Sequence, residues 1–233
     1  ALLLVSLLTV PDGPADLGAA ELPQGDEVKV DTARGEVRFA AQVQHPVDKP
    51  CIDDFGQRIQ AFVGCAKADG RPTEFADHFV FLAPADTQAV YRGLIELGVK
   101  SGSHYSRAEG RKRAGKDFLQ GDPVELLIAW QEKDGRWVER PYQELVREKL
   151  VVDGKEVVRS WTPHFVFHGS GAIHQEGTGC IACPCDCPGG IIADNRAPIY
   201  EPKPIVKFDW TQAPPEGSPV LVRIRPLRAE PAR

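Results

Sequence analysis

Proline and glycine recur along the whole chain and limit the length of any regular element. There are 20 Pro and 22 Gly in 233 residues, and both residue types end helices and strands or impose turns. Such frequent interruption favours many short elements joined by ordered turns and argues against a bundle of long helices. A chain of this length buries enough surface to fold without disulfides or metals as staples.

Alternating apolar and polar residues predict that strands dominate. In residues 27–31 and 36–44 the apolar side chains occupy every second position, and residues 32–35 between them have the composition of a turn. Asp153-Gly154 predicts a second, tight hairpin. Further strands are predicted at residues 59–63, 75–82, 124–130, 137–139, 150–153, 156–159, 165–167, 191–193 and 220–225.

One principal helix is predicted at about residues 86–97. Asp86 or Thr87 can cap its start, and Gly98 can end it. A short helix is predicted at residues 142–147. We therefore expect an α+β fold, with a mainly antiparallel β-sheet, one principal helix and long loops rich in proline and glycine.

The start of the chain is strongly apolar. Residues 1–10 are too few to span a bilayer, which takes about 20 residues, but they have the length of an export-signal core. The side chains available to a membrane or a partner are Leu2, Leu3, Leu4, Leu7 and Leu8. We predict an exported protein, periplasmic or at the cell surface, with the N-terminus as a membrane or partner anchor. An N-terminal core strand of a soluble protein is the alternative.

The domain organisation follows from composition. Residues 1–26 form an apolar segment with a Pro- and Gly-rich linker, residues 27–227 one compact domain, and residues 228–233 a tail. The net charge of −5 makes nucleic acid an improbable partner. Residues 100–118 nevertheless concentrate positive charge, at Arg107, Arg111, Lys112, Arg113 and Lys116 among others. This loop suits an acidic protein surface, anionic lipid or a polyanion, and a merely solvated loop explains it equally well.

The order of landmarks resembles the YdjY-like domain, an exported bacterial family. The helix end at residues 94–99 is one landmark, and Gly121-Asp122-Pro123-Val124 opens a strand at another. The other landmarks are Glu74 before residues 79–82, then residues 165–170, and finally residues 215–220 leading into the last strand. The resemblance covers roughly residues 27–227 and implies a fold and an exported location rather than an activity. The cysteine-rich stretch at residues 180–187 departs from the family pattern.

Four cysteines fall within eight positions, at Cys180, Cys183, Cys185 and Cys187. Thiolates are preferred ligands of zinc, cuprous copper and iron–sulfur clusters, so a metal site is chemically reasonable. The spacing matches none of the usual zinc or cluster spacings. Further ligands could come from His164, His168 and His174, and His164 and His168 are predicted side by side on one strand face.

Disulfides are the competing interpretation. With Cys51 and Cys65 the chain has six cysteines, an even number that suits pairing in an oxidising compartment. We favour a bridge between Cys51 and Cys65 and at least one bridge inside the cluster. A metal or iron–sulfur site comes second, and free or redox-active thiols third. On this view no cofactor is expected, and zinc, copper or an iron–sulfur cluster is the alternative.

No catalytic motif is recognisable. Gly169-Ser170-Gly171 lacks the spacing of a nucleophile elbow, and no phosphate loop or dinucleotide fingerprint is present. Asp77 and His78 are a weak acid–base candidate, because adjacent strand residues point to opposite faces. Whether the chain is an enzyme stays open, and we lean towards no. We predict a non-catalytic exported accessory or structural subunit of a membrane-associated or extracellular assembly, in contact with protein subunits.

The alternative is a redox or metal-binding protein that uses the cysteine cluster at residues 180–187 as an electron relay or metal carrier.

Overall fold

The structure is a computed structural model of the chain. It describes residues 22–44, 51–52, 58–59, 61–102, 120–169, 177–183, 190–195 and 205–227. The predicted N-terminal segment up to residue 21, most of the basic loop and the predicted tail lie outside these ranges.

Strands dominate the described residues, which hold sixteen strands and one α-helix. In chain order the strands are β1 (Val28–Asp31), β2 (Glu36–Val43), β3 (Cys51–Ile52), β4 (Arg58–Ile59), β5 (Ala61–Ala68), β6 (Arg71–Pro72), β7 (Phe79–Asp86), β8 (Val124–Gln131), β9 (Trp137–Pro141), β10 (Val146–Val152), β11 (Lys155–Ser160), β12 (Phe165–Phe167), β13 (Cys180–Cys183), β14 (Ile192–Asp194), β15 (Ile205–Phe208) and β16 (Pro219–Pro226). Helix α1 is Thr87–Glu96, and short 3-10 helices lie at Ala76–His78 and Tyr142–Leu145.

The main sheet is large, curled and mixed. Its strand order is β12-β14-β13-β5-β7-β2-β16-β8-β9, with β1 added to β2 and β6 to β5. Strands β5 and β7 run parallel, as do β13 and β14, while the other described pairs of this sheet are antiparallel. The α+β class that we predicted is therefore wrong, because the protein is mainly β. Helix α1, the one α-helix in the described ranges, packs mainly against β1, β2, β5 and β7.

A second, three-stranded sheet closes the core, in the order β11-β10-β15. Phe81 of the main sheet meets Phe208 of β15 edge-on, with ring centroids 5.6 Å apart. Tyr142, just before β10, packs edge-on against Phe81 and Trp161. These aromatic side chains are buried, so the two sheets share one core.

Helix α1 is the predicted helix. Asp86 caps it by accepting a hydrogen bond from the Gln88 backbone N–H at 2.8 Å. Gly98 follows the helix with a φ of +78°, a left-handed conformation that glycine adopts without strain. Val90 and Leu94 face the core. The structure confirms the predicted helix. The prediction succeeded because the signals for the start, the apolar face and the end of the helix all lie within or next to its own residues.

The face of the main sheet opposite the core holds a buried ionic cluster. Arg223 of β16 donates to Glu36 of β2, with a distance of 3.0 Å from Nε, and also to Glu139 of β9. Glu36 and Arg223 are both buried. Burial alone would lower the pKa of Arg223, but hydrogen bonds and charges from Glu36 and Glu139 outweigh it and raise that pKa. The guanidinium of Arg223 therefore stays charged, and its hydrogen bonds join three strands.

Candidate functional site

Many predicted site residues lie outside the described part of the chain. These are Cys185, Cys187, His174, the leucines Leu2, Leu3, Leu4, Leu7 and Leu8, and the basic residues Arg107, Arg111, Lys112, Arg113 and Lys116. The predictions made for them stay predictions. Cys51 lies in β3, but its side chain is also outside the description.

Strand pairing brings Cys65 next to the cysteine cluster. Cys180 begins β13 and lies opposite Gly64 of β5. The backbone N–H of Cys65 donates to the carbonyl of Gly179 at 2.7 Å. Since neighbouring strand residues point to opposite faces, the side chains of Cys65 and Cys180 lie on opposite faces of the sheet. This neighbourhood could not be predicted from local sequence patterns, because residues more than a hundred positions apart form it.

The cysteines whose side chains are described, Cys65, Cys180 and Cys183, form no disulfide with one another. Cys65 carries a free, buried thiol, so the predicted bridge from Cys51 to Cys65 is not formed in the structure. Cys65, Cys180 and Cys183 are not bonded to one another. Burial raises the pKa of the Cys65 thiol far above its ordinary value, and the nearby Asp86 carboxylate adds to the rise. Cys65 therefore stays protonated and is a poor nucleophile.

Histidines 164 and 168 do not form the predicted pair. They flank the three-residue strand β12 at its two ends. His168 follows the strand in a turn, where its backbone N–H donates to the Val166 carbonyl at 3.1 Å, so the two histidines do not continue one strand face. His168 is buried, and His164 is exposed. Within the described ranges, no group of three or more His, Cys, Asp or Glu side chains could hold a metal ion.

The side chains of Asp77 and His78 lie close together, which they would not do as adjacent residues of a strand. They lie in the 3-10 helix Ala76–His78 instead of a strand, and His78 Nε2 is 3.5 Å from Asp77 Oδ1. The Phe75 ring meets the imidazole edge-on, with centroids 5.4 Å apart. Our prediction placed residues 75–82 in one strand, and the strand begins only at Phe79.

Tyr142 is a buried polar side chain that sequence reasoning missed. Burial, together with the nearby thiols of Cys183 and Cys180, raises its pKa well above the ordinary tyrosine value. Its ring packs among Phe81, Trp161 and Phe165. The surroundings of β13 are therefore core-like and apolar.

An open groove of about 710 Å³ lies beside the turn between β8 and β9. Trp130, Pro214 and Pro215 are among the residues that line it. Charges of both signs line it as well, from Lys133 and Arg140 to Glu132 and Asp134. Because charges of both signs line the groove, they favour neither an anionic nor a cationic ligand.

The clearest surface feature is the hairpin of β10 and β11, here called the valine hairpin (residues 146–160). Its turn is Asp153-Gly154, as predicted, with positive φ angles of 50° and 73°. Both angles positive in a two-residue loop is the geometry of a type I′ turn. The pairing places Val152 opposite Lys155 and Val158 opposite Lys149.

Valines on both faces of this hairpin are exposed. The exposed fractions are 74% for Val151, 60% for Val158, 49% for Val152 and 39% for Val157. Lys149 pairs with Glu156, and Arg159 with Glu148 at 2.7 Å, across the two strands. Strand β11 is exposed throughout and lies at the edge of its sheet. In the described part of the chain no strand pairs with its outer edge.

Comparison with known proteins bears on the family. The YdjY domain profile matches residues 28–225. No curated protein and no solved structure matches the chain. No helix in the described ranges has the length and apolar character needed to cross a bilayer. The profile match spans the whole described fold from β1 almost to the end of β16, and the chain belongs to the YdjY domain family.

Proposed function

We propose that this protein is a non-catalytic, exported accessory or structural subunit of a membrane-associated or extracellular assembly, and that the valine hairpin docks it to a protein partner. The observation that carries the proposal is the exposure of four valines on the two faces of one hairpin. Apolar patches of this kind on a soluble surface mark interaction sites.

The size of the effect is appreciable. Full burial of an exposed valine contributes about 1.5–3 kcal/mol, so covering the whole exposed part of Val151 and Val158, which are 74% and 60% exposed, contributes about 2–4 kcal/mol of gross association energy. Proteins usually protect an exposed edge strand with lysines, prolines or bulges. Strand β11 has charged residues near its ends but Val157 and Val158 at its centre, which suits a strand that is covered in the assembly.

A redox or metal role for the cysteine cluster is a second proposal. One observation supports it: β13 holds Cys180 and Cys183 directly before Cys185 and Cys187 in the chain. Elemental analysis and an absorption spectrum of protein from its native source test it. Stoichiometric zinc, copper or iron supports the second proposal, and metal-free protein without visible absorption contradicts it.

The docking proposal is tested in the native cell. A tagged chain is isolated in mild detergent, and the mass of its assembly is measured by size-exclusion chromatography. The test variant carries Val151→Lys and Val158→Lys. The matched control carries Ile95→Lys and Leu227→Lys, at residues 44% and 49% exposed elsewhere on the surface.

We expect the hairpin variant to leave the assembly and the control to remain in it, with melting temperatures of both variants within a few degrees of wild type. Retention of the hairpin variant at the wild-type mass would contradict the proposal.

A further inference from the structure

We infer that the occupant of the β11 edge is a second copy of this chain, bound strand to strand about a two-fold axis at Val158. The inference rests on the docking role proposed above and names the partner at that site. Three observations carry it: the turn geometry, the register of the hairpin and the order of charges along β11.

The turn decides which backbone groups of β11 face outward. In a two-residue hairpin the flanking residues, here Val152 and Lys155, exchange backbone hydrogen bonds. Hydrogen-bonded and non-bonded pairs then alternate along an antiparallel ladder. Val157 and Arg159 therefore bond inward to β10. The N–H and C=O groups of Glu156, Val158 and Ser160 point to the open edge.

Two-fold symmetry restricts the ways in which two copies of β11 can pair. The axis stands perpendicular to the sheet, so each residue lies opposite one whose side chain is on the same face. The axis therefore passes between one residue and the same residue of the second copy. For a strand of six residues, only an axis at Glu156, Val157, Val158 or Arg159 gives three or more opposed pairs.

Charge selects one of these registers. An axis at Glu156 or at Arg159 sets that residue against its own copy, and an axis at Val157 sets Lys155 against Arg159 of the second copy. Like charges directly opposed across a ladder are destabilising. An axis at Val158 opposes no like charges: Glu156 lies opposite Ser160, and Val158 lies opposite its own copy.

In this register the outward backbone groups of each copy meet those of the other. The two three-stranded sheets become one continuous sheet in the order β15-β10-β11-β11-β10-β15. The exposed Val158 is covered by its own copy, and the open edge disappears, which is how β-proteins remove such edges.

The first test is the molar mass of the purified full chain, measured by light scattering over a concentration series. We expect wild type to reach twice the chain mass of 25.5 kDa. Val158→Pro removes an outward N–H without removing a bond to β10, and we expect this variant to stay monomeric with a melting temperature close to wild type. The Ile95→Lys variant, altered away from the edge, should dimerise normally.

The second test is disulfide trapping, whose result does not depend on whether strand β11 tolerates a proline. Opposed residues of a hydrogen-bonded pair have Cα atoms about 5.5 Å apart, within disulfide range. Val158→Cys should therefore cross-link to its own copy on oxidation. Val157→Cys should not, because it meets its copy only diagonally at about 7–8 Å. Peptide mapping distinguishes these bonds from those of native cysteines.

Equal cross-linking of both variants, or of neither, would overturn the register. A wild-type chain that stays monomeric at all concentrations would overturn self-pairing. If Val158→Pro then also left the native assembly, the edge would hold a strand of another protein, and the docking proposal would survive while this inference failed.

Discussion

Arg223 is the residue whose loss should destabilise the fold most clearly. Its guanidinium lies between Glu36 of β2 and Glu139 of β9, and it is buried itself. The variant Arg223→Met keeps most of the aliphatic volume but leaves Glu36, which is only 1% exposed, without its guanidinium partner.

The expected magnitude follows from that burial. Removing one partner of a buried ion pair leaves an uncompensated charge and costs about 3–5 kcal/mol. We expect a loss of this size in the free energy of unfolding at pH 7, measured by urea denaturation with an unchanged m-value. The exposed pair of Arg136 and Glu132 offers a control, since breaking a surface pair costs about 0–1 kcal/mol.

The double variant Glu36→Gln with Arg223→Met separates charge from packing. Glutamine removes the buried negative charge, so we expect the double variant to recover part of the loss. A loss below about 1 kcal/mol for Arg223→Met would refute the reasoning, because an exposed ion pair costs no more than that to break. Equal losses for the single and double variants would assign the effect to packing.

Local signals made several elements predictable. The cap, apolar face and glycine stop identified α1, and Asp153-Gly154 identified the valine hairpin. The hairpin of β1 and β2 followed from alternation, and the structure confirms it. In each case the residues that decide the conformation lie within a few positions of one another.

Long-range pairing could not be predicted in the same way. Strand β5 lies between β7 and β13, and its alternation does not specify either neighbour. The position of Cys65 beside Gly179 depends on that strand order. The distance along the sequence between Cys65 and the cysteine cluster was therefore an unreliable basis for predicting which cysteines pair. The α+β assignment was wrong because it let one clear helix decide the class, although strands predominated in the prediction and predominate in the structure.

The placement of His164 and His168 has a similar cause. Alternation put both on one face of a strand, but it did not specify where that strand begins and ends. That the strand between them is only three residues long is set by its partners, since β12 pairs with β14 over those three residues alone.

Two further predictions concern close packing and the buried thiol. Gly64→Ala should lower the free energy of unfolding by about 1–3 kcal/mol, as overpacking does, because the added methyl group would overlap the Phe79 ring. Gly190→Ala, whose added methyl group would meet Cys180 Sγ only at ordinary contact distance, should cost less, and equal costs would contradict this account. The thiol of Cys65 has a pKa raised by burial in the folded state, so its contribution is fully present below the thiol pKa of the unfolded chain, about 8.5. Above that pH the unfolded chain loses the proton and the folded chain keeps it, so stability should fall by up to about 1.4 kcal/mol per pH unit. Urea denaturation between pH 8 and 10 should show a shallower fall for Cys65→Ala than for wild type, and parallel curves would show that this thiol does not titrate on unfolding.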